Sequence, residues 1–126
     1  MLSSDAMRGH LDAILLCLIQ EKDRYGYELF SEVGARTGGR LTIKEATLYA
    51  ALQRLERQSH ISSYQGEVSG GSKRRYYHLT ESGRAFLAEL TAGWQEMKEI
   101  LDIFLLPHEP KKKRSFLSLR KDEDKK

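Results

Sequence analysis

Lys73, Arg74 and Arg75 stand side by side, and Lys44, Arg54 and Arg57 lie a short way upstream. Cations grouped in this way bind phosphates, through charge and, for arginine, through a planar fork of N–H donors. Charge along the chain sharpens the point. Lys+Arg against Asp+Glu is 3 against 6 over residues 1–35, 8 against 3 over 36–79, 2 against 5 over 80–105 and 8 against 4 over 106–126. The middle segment is thus +5 between two blocks of −3, whereas the whole 126-residue chain is only +3. This is a local footprint for a polyanion, not a generally basic surface.

Other chemistries lack their residues. His10 and Cys17 share a helix face but are roughly 10.5 Å apart along its axis, too far for a nucleophile and its base. His10, His60, His78 and His108 have no metal-ligand spacing, and one cysteine excludes a disulfide framework or a zinc site built on Cys pairs. Gly38-Gly39 and Gly70-Gly71 lack the Lys-Ser or Lys-Thr that would make a nucleotide phosphate loop. No catalytic residue, metal or cofactor is expected, and hence no enzyme. Cys17, with no basic group one turn away, is expected to be a small buried hydrophobe. The longest apolar run, Ala13 to Ile19, is too short to cross a bilayer, so a soluble cytoplasmic protein is expected.

The basic residues need elements to position them. With 40% hydrophobic and 31% charged residues and only 2 prolines, the chain can build one compact core. Residues 1–8 read as a flexible N-terminus. A first helix over 9–22 carries Leu11, Ile14, Leu15 and Leu18 at steps of three and four, apolar enough to need partners on two sides. A second runs from Tyr25 to about Thr37 and stops at Gly38-Gly39. Thr42 is expected to cap the third, with Glu45 completing a capping box. That helix buries Leu48, Ala51, Leu52 and Leu55 and turns Ala46, Thr47, Ala50, Gln53, Arg54 and Arg57 outward. The period then falls to two: Ile61 to Gln65 and Arg74 to Leu79 read as a hairpin around a turn at 68–72. Thr80 caps a long helix over 81–105 with the stripe Phe86, Leu90, Trp94, Met97, Leu101 and Phe104. At roughly 38 Å it exceeds what a small domain needs for itself, so part of the stripe is expected to meet a second chain. Residues 106–126 read as a basic, disordered tail around Lys111 to Arg114.

Three helices, a basic hairpin and a long helix make a winged helix-turn-helix over 9–79 followed by a dimerisation helix over 80–105, mainly α with a small β-hairpin. A helix enters the major groove only if its outer face is small and polar. Thr47 and Ala50 fit that face, with Tyr49 beside them, while Lys44, Arg54, Arg57 and the hairpin cations Lys73, Arg74 and Arg75 fit flanking phosphates. A two-fold dimer would then offer two reading helices to operator DNA. Trp94 and Met97 belong to the dimer stripe, or form a pocket for a small effector beside Gly93.

Three motifs carry a family resemblance: Tyr25-Gly26-Tyr27-Glu28-Leu29, Thr47-Leu48-Tyr49-Ala50-Ala51-Leu52-Gln53-Arg54-Leu55-Glu56, and Arg74-Arg75-Tyr76-Tyr77-His78-Leu79-Thr80-Glu81-Ser82-Gly83. In this order they resemble the PadR family of bacterial transcriptional regulators, over about residues 8–105. The resemblance implies a DNA-binding repressor, Tyr49 at a phosphate, and a C-terminal helix packed on the partner's first helix. That helix contact gives a dimer interface of Leu11, Ile14, Leu18, Leu90, Trp94, Met97 and Leu101. It also implies relief, in some members, by small aromatic or cationic compounds. Ser59-His60 stands where the family has Gly-Leu, so the turn into the hairpin lacks its helix-stopping glycine. The alternative is a winged-helix module whose basic surface docks an acidic protein.

Overall fold

A computed structural model describes residues 2–3, 7, 9–67, 71 and 73–107. In order they form β1 (Leu2–Ser3), α1 (Leu11–Glu21), β2 (Arg24–Tyr25), α2 (Gly26–Arg36), β3 (Leu41–Thr42), α3 (Glu45–Arg57), β4 (Ile61–Glu67), β5 (Lys73–Leu79) and α4 (Glu81–Leu105). The fold is mainly α with a small antiparallel sheet, as the sequence implies. Two compact units divide inside α4, Met1–Gly93 and Trp94–Lys126.

The core of the first unit explains its helices. On α1, Leu11, Leu15, Leu16, Leu18 and Ile19 are buried, which is why so apolar a helix is tolerated. They meet Leu29 and Val33 of α2, Leu48, Leu52 and Leu55 of α3, and Ile61, Tyr77 and Leu79 of the sheet. Each fully buried leucine contributes about 1.5–3 kcal/mol relative to exposure. The first half of α4 joins this core through buried Leu87 and half-buried Phe86 and Leu90.

Where α1 ends, Arg24 is 5% exposed. Its Nε donates to the Leu18 carbonyl at 2.9 Å, and its guanidinium pairs with Glu21 at 2.7 Å and Glu28 at 3.4 Å. A buried charge persists because each face of it is answered.

Several local readings change. The link between the first two helices, where only helix ends were expected, contains β2, a third strand: Arg24 and Tyr25 pair with Tyr77 and Tyr76, giving the order β2-β5-β4. Leu2–Ser3, within the N-terminus expected to be flexible, pairs in parallel with Leu41–Thr42. That ladder takes Thr42 into β3, so α3 starts later, with Lys44 as N-cap and no side-chain cap bond. Thr80 does cap α4, its Oγ1 accepting from the Gly83 N–H at 3.0 Å. Cys17 is exposed rather than buried, because α1 turns the side opposite its leucines outward there. Partial desolvation, and then Glu21, push its thiol above the ordinary value, so the reactive thiolate is scarce.

The missing glycine after α3 is replaced by conformation. Ser59 itself takes the left-handed backbone, φ 65°. The Ser59 carbonyl accepts from Thr80 Oγ1 at 2.7 Å, and the His60 ring stacks on Phe86 at 4.3 Å. The turn at 68–72, apart from Gly71, and the basic tail from residue 108 onward lie outside the described residues.

Candidate nucleic-acid interface

With Leu48, Ala51, Leu52 and Leu55 locked inward, helical periodicity forces Ala46, Tyr49, Ala50 and Gln53 outward. Thr47, one position off, is half-buried. The outward row forms one wall of a cleft of about 760 Å³. The start of α2, with Gly26 and Tyr27, forms a second wall and β5, with Arg74 and Arg75, a third; Tyr25, Tyr77 and Glu56 complete the lining. The approach is close at one point. A Cβ on Gly26 would come within 2.3 Å of the Tyr49 hydroxyl oxygen, so only glycine lets that ring lie across the helix start.

Strand alternation divides the basic triplet. Tyr77 and Leu79 face the core, so Arg75 and Lys73 share their side and Arg74, Tyr76 and His78 take the other. Arg74 places its guanidinium 4.3 Å above the Tyr25 ring, a cation–π contact. Arg75 pairs with Glu56 of α3 at 3.3 Å. Burial pushes the Tyr77 hydroxyl above its usual value; the Arg75 charge opposes this, while Glu56 and Tyr49 add to it.

The outer face of the sheet is aromatic. Tyr76 sits between Tyr25, edge-on at 5.5 Å, and Tyr64, stacked at 5.7 Å. Tyr64 donates to Asp23 at 2.6 Å, and His78 Nδ1 lies 2.9 Å from the same carboxylate. Partial burial works against ionisation of Asp23, but the bonds from Tyr64 and His78 outweigh it and hold the carboxyl below its ordinary value.

Of the residues assigned to DNA from sequence, Tyr49, Ala50, Arg74 and Arg75 meet in this cleft. Arg54 lies outside its lining and donates to Asp12 of α1 at 2.5 Å. Lys44, Arg57 and Lys73 are exposed. Sequence reasoning missed Glu56 and the walls Tyr25, Gly26 and Tyr27 as parts of one site, although Tyr-Gly-Tyr stood in a quoted motif. The assigned dimer residues separate likewise. Leu11 and Leu18 are already in the chain's own core, 7% and 4% exposed. Ile14 and Leu90 are half-buried, while Trp94, Met97 and Leu101 are 48%, 41% and 42% exposed.

Among the described residues no group of three His, Cys, Asp or Glu side chains could hold a metal ion. No described helix is long and apolar enough to cross a membrane.

Residues 15–89 match the model of the transcriptional regulator PadR-like family. The chain belongs to the PadR family. A protein of Lysinibacillus sphaericus, described as uncharacterised, is 55% identical over 105 residues, 83% of this chain and 96% of its own. Among solved structures, a transcriptional regulator from Clostridium thermocellum is similar with a TM-score of 0.74 and 37% identity, over 80% of this chain and 98% of that one. A PadR family transcription regulator from Clostridium difficile gives a TM-score of 0.67 and 35% identity, over 77% of this chain and 99% of that one. This PadR chain is therefore a DNA-binding transcriptional regulator with a winged-helix fold, and not an enzyme.

Proposed function

We propose that the chain is a repressor that binds operator DNA as a homodimer in the cytoplasm. In this reading α3 enters the major groove with Thr47, Tyr49 and Ala50 foremost. Lys44, Arg57, Lys73, Arg74 and Arg75 hold the flanking phosphates, and Arg54 supports the helix from its side. The observation that carries it is the cleft in which the outward face of α3, the start of α2 and two arginines of β5 converge. The exposed end of α4, including Met97 and Leu101, supports the homodimer, since an apolar stretch of this kind is a surface for a second copy. Trp94 and Met97 are the proposed contact for a small aromatic or cationic effector that releases the DNA.

The test is binding of a labelled duplex from the gene's own upstream region against a scrambled duplex, over a salt series. The operator duplex is expected to bind at least 10³-fold more tightly, with affinity falling steeply as salt rises. Equal affinity for the two at moderate salt would remove the sequence-specific reading.

A further inference from the structure

The cleft holds one anion among its cations. Glu56 lines it with Arg74 and Arg75, and its carboxylate joins three elements. From β4, Ser63 donates to Oε2 at 2.6 Å; from β5, Arg75 Nη2 approaches Oε1 at 3.3 Å and Oε2 at 3.5 Å. The short serine bond fixes the carboxylate between α3 and β4. The arginine contact is longer and uses one nitrogen, and the same guanidinium also interacts with the Tyr77 hydroxyl as it lines the cleft. The Arg75 side chain is 59% exposed, against 31% for Glu56.

A carboxylate opposes phosphate binding in general, so its place in this cleft needs a reason. It touches Arg75, well inside the roughly 8 Å over which charges act at physiological salt. An arriving phosphate therefore meets two charges that nearly cancel, and Arg75 adds little to the attraction that any duplex enjoys. Direction survives. A guanidinium held by both Glu56 and the Tyr77 hydroxyl presents its exposed donors along set lines and rewards a phosphate that lies on those lines. Phosphate position follows register and groove shape, which depend on sequence. Arg74 is different, because the Tyr25 face that holds it does not cancel its charge.

Resting on the DNA-binding reading above, we infer that Glu56 is a positioning residue that sets specificity: paired with Arg75, it suppresses sequence-blind attraction and keeps the contact that depends on register.

Two variants of the full chain test this with the two duplexes already named. Glu56→Gln keeps an acceptor for Ser63 and Arg75 and removes the charge. It is expected to raise affinity for the scrambled duplex about three- to tenfold, to steepen its salt slope by about 0.9, and to raise operator affinity less, so that the operator-to-scrambled ratio falls. Arg75→Ala, which does not depend on the first variant folding, leaves the Glu56 charge unanswered; it is expected to weaken scrambled binding about three- to tenfold and operator binding at least fivefold more than that. A ratio and slope unchanged in Glu56→Gln, or equal losses on both duplexes in Arg75→Ala, would overturn the inference while leaving the wild type a specific binder. A wild type that binds neither duplex would overturn the DNA-binding reading itself, and this inference with it.

Discussion

Asp12 on the first helix accepts a hydrogen bond from Arg54 on the third at 2.5 Å, across 42 positions of sequence. The pair joins the helix assigned to the dimer contact to the helix assigned to DNA. Both side chains are part exposed, 23% and 45%, so water screens them and the pair is worth about 0.2–1 kcal/mol. Asp12→Ala and Arg54→Ala are each expected to lower stability by about that amount, and the double variant by no more than either alone. Urea denaturation of the four proteins measures the coupling; losses that simply add would mean that the two side chains act independently.

Glu21 gives stability a dependence on acid. Hydrogen bonds from Arg36, opposed by desolvation and supported by Arg24, lower its carboxyl from 4.5 to about 2. A group whose folded value is depressed stabilises the fold above its unfolded value and loses that effect as pH falls towards the folded one. Stability is therefore expected to decline between about pH 4.5 and 2, and Glu21→Gln should flatten the decline. Denaturant midpoints taken across this range decide it. An identical pH profile in the variant would assign acid sensitivity to other carboxylates.

Ser59 adopts φ 65°, the region that favours glycine. Ser59→Gly keeps the carbonyl that Thr80 Oγ1 bonds and removes the Cβ clash, so it is expected to stabilise the chain by about 0.5–1 kcal/mol. Ser59→Val should do the reverse by a larger margin, since a β-branched side chain tolerates that region least. Thermal melts of the two variants provide the comparison. A fall in the midpoint of Ser59→Gly would show that the serine side chain contributes more than its backbone costs.

Exposure divides the residues assigned to the dimer. Leu101 is 42% exposed on α4, so Leu101→Arg is expected to convert dimer to monomer in sedimentation equilibrium while leaving the first unit folded. Leu18 is 4% exposed and serves its own chain's core. Leu18→Ala is expected to cost about 2–5 kcal/mol of stability whatever its effect on association. If Leu101→Arg sediments like wild type, the exposed end of α4 is not the interface.

What the sequence disclosed depended on the range over which its signals act. Leucines three and four apart on α1 and α3 announce helices, alternation at 61–65 and 74–79 announces a hairpin, and Thr80 announces a cap, because each pattern repeats within a few residues. Arg24–Tyr25 is too short to show a period, and its strand character comes from Tyr76 and Tyr77, some fifty positions away. The carboxylates were hidden for the same reason. Asp12 meets Arg54 across 42 positions and Glu56 meets Arg75 across 19, and no spacing rule links such partners. A charge map sums the cations of the middle segment but cannot show which of them are already answered. Thr42 had the chemistry of a cap and lost that place to a strand pairing that the sequence does not signal.

Two glycines separate the site from the fold that supports it. At Gly83 a Cβ would sit 1.9 Å from the His60 carbonyl oxygen, a backbone atom fixed by its own bond to the Thr80 N–H. Nothing there can move cheaply, so Gly83→Ala is expected to lower stability by more than about 3 kcal/mol, in the range of severe overpacking. At Gly26 a Cβ meets the ring and hydroxyl of Tyr49, which is exposed and can swing away. Gly26→Ala should therefore leave the melting midpoint within a few degrees of wild type and displace Tyr49 from the wall it shares with Ala46 and Ala50. Operator affinity is expected to fall about tenfold, or roughly 1.4 kcal/mol, in line with the loss of one positioned phosphate contact. Duplex titrations and thermal melts on the same two variants separate the effects: a Gly26→Ala protein that melts normally and binds normally would show that Tyr49 has no part in holding DNA.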